Sequence, residues 1–198
     1  ELGADLLARM AQAYAEDQED AGPAELALVP AGTQVSARAF LADGRSSVVS
    51  SANFRQATLR PAAKVDARKL QAGLNRRYYE GSVLKVAGLE TLPVVRADVA
   101  PTIAIPEQAR PEAFGLRFDG YLRVPADAIY RFVLDSDDGS VLRIDGETAI
   151  DRDGGRSPGE SYGSAALSAG LHRIDLDYFQ GGGGRSLSLK IGREGEAP

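Results

Sequence analysis

Beyond Pro111 the apolar side chains fall on alternate positions, segment after segment. Phe114, Leu116 and Phe118 share one parity, as do Tyr130, Phe132 and Leu134, then Leu142 and Ile144, then His172, Ile174, Leu176 and Tyr178, then Leu187, Leu189 and Ile191. The positions between them are mainly polar or charged, Arg173, Asp175 and Asp177 among them. A period of two belongs to a strand with one buried and one wet face. Several such strands joined by Gly-rich turns predict an all-β fold, an antiparallel β-sandwich over residues 63–198.

The pattern upstream differs. Leu6, Leu7, Met10, Ala13 and Tyr14 recur at helical spacing within an Ala-rich stretch, which predicts a short helix, then a linker, over residues 1–22. From Thr33, Val35, Ala37, Ala39 and Leu41 alternate with more polar residues, and Asp43-Gly44 supplies a turn before a second β-branched run. Residues 23–62 are therefore expected to contain a β-hairpin. Tyr78 and Tyr79, with Val83, Leu84, Val86 and Leu89, predict strand and loop pieces closing over a core. The Pro-punctuated connector Pro101–Pro111 follows, with Ile103 and Ile105 alternating.

Composition narrows the function classes. The chain has 198 residues, 43% of them apolar, enough for a packed interior. Cysteine is absent, which excludes disulfides, thiolate nucleophiles and sulfur-bound zinc. The net charge is −5, with the excess of acids lying beyond Pro111. An acidic region disfavours phosphate backbones, so nucleic acid is not an expected partner. No apolar run is long enough to predict a membrane span. Because the chain opens at Glu1, it is expected to be a piece of a longer or processed protein.

Candidate chemistry centres on Leu134–Gly146, LDSDDGSVLRIDG. Adjacent carboxylates at Asp137 and Asp138, next to Gly139 at the end of an apolar strand, repel one another and favour a hard cation with oxygen ligands. The alternative is a tight turn whose carboxylates bond local amides. Asp151 and Asp153 also sit in a Gly-containing loop, but without the later bidentate acid of an EF-hand; an exposed loop beside the binding face is expected. His172, the sole histidine, lies on apolar parity and is expected to be a hydrogen-bonded core residue. Cys–His dyads are thereby excluded, and a Ser–His–Asp triad would have to use that ring. Neighbouring acids on one turn do not straddle a glycosidic bond, which needs carboxyls roughly 5 to 9.5 Å apart across a cleft. Gly181–Gly184 lacks the Lys and the strand-to-helix setting of a phosphate loop and predicts a hairpin loop.

FDGYLRVPADAIYRFVLDSDDGSVLRIDGETAIDRDGG, LSAGLHRIDLDYFQGGGGRSLSLKI and the earlier GLNRRYYEG together resemble the protective-antigen-fragment (PA-14) domain family, in order, from about Leu74 to Ile191. These are lectin-like β-sandwiches of adhesins and of many glycoside hydrolases. The resemblance implies that Asp137 and Asp138 are joined by a cis peptide and chelate Ca2+, and that vicinal sugar hydroxyls complete the shell. Since calcium takes six to eight oxygens, it also implies ligands from the loop before the last strand. Here that loop reads QGGGGR, so Gln180, Gly181 and Gly182 are the candidates, with Gln180 and Gly182 toward the metal and Gln180 and Gly181 toward the ligand. The loop departs from the lectin pattern in having no acidic side chain. Residues 24–60 resemble, over few positions, the immunoglobulin-like C-terminal module of chitobiase and β-hexosaminidase-type enzymes.

The expectation is therefore a non-catalytic, calcium-assisted carbohydrate-binding module, attached to an exported glycan-acting enzyme and located in the secreted, periplasmic or cell-surface space. Its partners would be a glycan and a catalytic domain of the same parent chain. The alternatives are a structural accessory domain that packs on a catalytic domain without binding sugar, and an adhesin unit.

Overall fold

The computed structural model describes residues 33–38, 40, 45, 46, 48–54 and 57–193. By its contacts the chain divides into two units, Glu1–Ala57 and Thr58–Pro198. In the first, β1 (Thr33–Ala37) and β2 (Ser50–Phe54) pair antiparallel, Val35 opposite Ala52, and an isolated bridge joins Phe40 to Ser46. The expected turn at Asp43-Gly44 and the expected helix over residues 1–22 lie outside the described residues.

The second unit is an antiparallel β-sandwich, as the alternation predicts. Its strands are β3 (Leu74–Glu80), β4 (Val94–Ala100), β5 (Phe114–Val124), β6 (Ala128–Asp137), β7 (Gly139–Ile144), β8 (Glu147–Arg152), β9 (Gly159–Leu167), β10 (Gly170–Gln180) and β11 (Ser186–Arg193). Six form one sheet in the order β4-β3-β5-β10-β7-β8, and three form the other, β11-β6-β9. The chain enters this unit along the β9–β10 turn. Arg60 bridges Leu167, its guanidinium donates to the Ile144 carbonyl at 2.7 Å, and the Ala63 amide donates to Leu171 O at 2.7 Å.

Between the sheets lie Phe114, Leu116 and Phe118 from β5, Phe132 and Leu134 from β6, Leu142 and Ile144 from β7, and Leu176 and Tyr178 from β10, all buried. These are the positions whose shared parity predicts an inner face. Burying nine such side chains at about 1.5–3 kcal/mol each is the main drive for closing the sheets. His172 is buried too. Its Nδ1 lies 2.7 Å from an Asp145 carboxylate oxygen and its Nε2 2.8 Å from the Ser168 carbonyl, which gives it the structural place expected of it.

The outer face of the six-stranded sheet is divided. A 3₁₀ turn over Val86–Thr91 lays Val86 and Leu89 over Tyr79, Val141 and Phe179, forming a second apolar cluster. Phe179 is only 2% exposed although it sits on the charged parity of β10. The uncovered remainder is a lattice of ion pairs. Buried Asp177 accepts from Arg117 at 2.6 Å and Arg143 at 3.0 Å, Asp119 takes Arg77, and Asp175 takes Arg173.

Candidate functional site

Asp137 closes β6 in the small sheet and Gly139 opens β7 in the large one, so the Asp137–Asp138 peptide is where the chain crosses between sheets. That peptide is cis, as the family resemblance implies. Gly139 is needed for close approach: a Cβ there would lie 2.3 Å from the Phe179 ring and 2.8 Å from the Gly154 carbonyl oxygen.

The two carboxylates differ in their surroundings. Asp138 Oδ2 accepts the Gly181 N–H at 2.8 Å. Asp137 is 5% exposed, yet among the described residues no donor reaches its carboxylate. Burial, then the neighbouring Asp138 charge, and after a counteracting pull from Arg152 also Asp135, push the Asp137 carboxyl above the usual aspartate range. Such a group is stabilised by a cation or by a proton. Below it, the Tyr178 hydroxyl donates to the Asp137 carbonyl and lies 2.7 Å from Gln180 Oε1. Burial, followed by the charges of Asp137 and Asp138, raises the Tyr178 phenol far above its ordinary value, so it stays a donor.

The glycine loop does reach the pair. A Cβ at Gly184 would stand 3.0 Å from Asp137 Oδ2, and one at Gly181 3.2 Å from Asp138 Oδ2. Gly182 lies instead beside Glu112, whose Oε2 would be 3.3 Å from its Cβ. Gln180 is brought to the same place, but it is 1% exposed and both ends of its amide are engaged, Oε1 with Tyr178 and Nε2 donating to the Gly184 carbonyl at 2.7 Å. Its observed work is to shape the loop, with one lone pair of Oε1 left over.

Three neighbouring residues were not legible in the sequence. Ser186 is paired in register with Asp137, and its Oγ is buried with no hydrogen-bond partner. Arg152 acts on Asp137 electrostatically and donates to the Ser157 carbonyl, while its Nε is buried without a partner. Glu112 arrives on the connector before β5. Only the pairing of strands brings these residues here, and no local motif signals it. The Asp151–Gly155 loop, by contrast, uses its acids on backbone amides: Asp153 Oδ1 accepts from Val86 N of the 3₁₀ turn and from Gly154 N, both at 2.9 Å, and Asp151 caps Asp153 N at 3.0 Å.

The donor set bears directly on a cation. Among the described residues no three His, Cys, Asp or Glu side chains gather at one point. Two oxygen-only carboxylates, one of them buried and undonated, fit a hard cation whose other ligands are carbonyls, water or an added hydroxylic ligand. They do not fit a soft or nitrogen-preferring metal.

The family model for the PA14 domain matches residues 71–197. The chain belongs to the PA14 domain family. Among solved structures, an anti-sigma factor domain-containing protein is 23% identical at a TM-score of 0.54; the match covers 63% of this chain and 44% of that one, so this chain spans less than half of that protein. A PA14 sugar-binding domain from an RTX adhesin is 18% identical, TM-score 0.56, with 65% and 93% covered. The epithelial adhesin 9 A domain from Candida glabrata, in complex with Galb1-3GlcNAc, is 9% identical, TM-score 0.57, with 72% and 91% covered. At these identities the likeness establishes the PA14 fold. No curated protein matches the chain. Among the described residues no helix is long and apolar enough to cross a membrane.

Proposed function

We propose that this PA14 unit is a non-catalytic carbohydrate-binding module in which Asp137 and Asp138 hold a calcium ion and sugar hydroxyls complete its shell. The observation that carries the proposal is Asp137, a residue 5% exposed at the rim where the chain changes sheets, whose carboxylate takes no hydrogen bond from the described residues and lies beside the Asp138 charge. A carboxylate so little hydrated next to a like charge would gain from a divalent ion. The backbone near Gly181 and Gly182 and the remaining lone pair of Gln180 are the further oxygens within the loop. Calcium, when bound, would present its open positions to vicinal hydroxyls; the chain's own residues position and desolvate the two acids. Two structural neighbours are described as sugar-binding or as sugar-bound, which supports a glycan as the partner.

The family resemblance further supports a place outside the cytoplasm, on a parent chain that carries a glycan-acting catalytic domain. An adhesin context is the alternative, and the two adhesin neighbours favour it. A purely structural role has its own observation, the bonds from Gly181 to Asp138 and from Tyr178 to Asp137, which use the pair to pin neighbouring strands.

Calorimetric titration separates these. Monosaccharides should give heat with calcium present and none after chelation, and an Asp137→Ala, Asp138→Ala double variant that keeps its fold should give none. Sugar binding that survives chelation refutes the calcium-assisted mechanism. Absence of any heat from calcium and from sugar in the native protein leaves the structural role.

A further inference from the structure

We propose that the bound glycan runs from the Asp137–Asp138 pair down the outer face of the three-stranded sheet to Tyr162, so that the module takes an oligosaccharide rather than a single terminal sugar. The path presupposes sugar binding at the Asp pair as proposed above, and it adds a second contact area. On β6, Ser136, Leu134, Phe132 and Tyr130 are buried toward the core, which turns Asp137, Asp135, Val133 and Arg131 to the other face. Register then sets the neighbours on that face: Ser186 opposite Asp137, Ser188 and Glu160 opposite Asp135, Lys190 and Tyr162 opposite Val133.

Tyr162 is 68% exposed, and among the described residues of the Thr58–Pro198 unit it is the one aromatic side chain so exposed. A large ring standing in solvent in mid-strand leaves apolar area unburied. Its hydroxyl donates to Glu160 Oε2 at 2.7 Å, which restrains the ring before any ligand arrives. A restrained aromatic beside carboxylates and hydroxyls matches a pyranose, whose C–H face packs on the ring while its hydroxyls meet the polar groups. Charges of both signs line the strip, with Asp135 and Glu160 against Lys190, which suits a neutral polyhydroxyl chain better than an ionic one.

Distance and continuity fit as well. Four residues of strand at about 3.3 Å each place the Tyr162 row roughly 13 Å from the Asp pair, beyond the reach of one pyranose ring. Between the two rows, exposed Ser188 and Glu160 stand on either side of Asp135 and offer a hydroxyl and a carboxylate along the path.

The test is calorimetric titration, with calcium present, of glucose-, galactose- and mannose-configured mono- to tetrasaccharides against the native protein, Tyr162→Ala and Tyr162→Phe. In at least one series affinity should rise about tenfold from mono- to tetrasaccharide, the contribution expected of one stacked ring. Tyr162→Ala should erase that gain and leave monosaccharide affinity unchanged, and Tyr162→Phe, which keeps the ring, should retain most of it. Monosaccharide binding with no dependence on chain length, or a gain that survives Tyr162→Ala, overturns the extended path and leaves the Asp-pair site standing. No binding at any length overturns both.

Discussion

Replacing Asp137 with Asn changes one charge and almost no volume, and it should move stability in opposite directions with and without calcium. In the metal-free protein the Asp137 carboxyl titrates above the ordinary value of 3.8, because of burial first and Asp138 second. Between that unfolded value and the raised folded one, the native state binds more protons than the unfolded state, so stability falls as pH rises through the interval. The loss is complete once the carboxyl has ionised in the folded state. Asn does not titrate, so the variant should be the more stable protein in chelator at pH 7, with the advantage vanishing below pH 3.8. Calcium reverses the order. At a hundred times its Kd the ion adds about 2.7 kcal/mol to a protein that binds it only when folded. For a unit the size of Thr58–Pro198, at about 3–5 °C per kcal/mol, Tm should rise by roughly 8–13 °C in the native protein and by far less in the variant. Proton competition also predicts weaker calcium binding on acidification. The assay is differential scanning calorimetry at pH 7, with and without calcium. A variant that is less stable than the native protein in chelator, or that keeps the native calcium shift, refutes the account of Asp137 as a desolvated ligand.

Three further substitutions probe the scaffold around the site. Tyr178→Phe removes the one buried hydroxyl that the Asp137 carbonyl and Gln180 Oε1 share and should cost about 1–3 kcal/mol in urea unfolding, with weaker calcium binding; an unchanged midpoint would show that this hydroxyl does not hold the pair. Gly163→Ala places a Cβ 2.3 Å from the Ala149 carbonyl, where β8 meets β9, and should cost about 1–3 kcal/mol; neutral behaviour would mean that the strands part without penalty. Asp177→Ala takes the buried carboxylate from Arg143 and leaves Arg117 only its 3.6 Å pair with Glu90; it should cost about 3 kcal/mol, and a loss under about 1 kcal/mol would show that solvent and Glu90 already satisfy them.

The inner faces of β5, β6, β7, β10 and β11 were legible because alternation follows from strand geometry and one wet face. Where a second layer covers the outer face, parity misleads: Val141 and Phe179 occupy solvent-facing positions and are buried by the Val86–Thr91 turn. The segment GLETLP carries no alternation from which that turn could be read. Leu84, expected to help close the core, is 87% exposed, since the turn begins beyond it. Strand β9 was invisible for a compositional reason, because GESYGSAAL contains small residues that pack by close approach rather than by apolar bulk.

The site divides along the same line. Asp137-Asp138 could be picked out because like charges side by side need an explanation wherever they occur. What surrounds them depends on which strands pair, and pairing is non-local: β11 brings Ser186 opposite Asp137, and β10 brings Tyr178 beneath it, some forty residues away in sequence. The same non-locality bears on the proposed calcium site. A crossover between sheets is a point where two strands end at once, so backbone from both layers and from the glycine loop converges on one rim. Placing the acids there desolvates one of them while leaving the other reachable from the surface, and the cation we propose between two such carboxylates would keep an open side for an incoming hydroxyl.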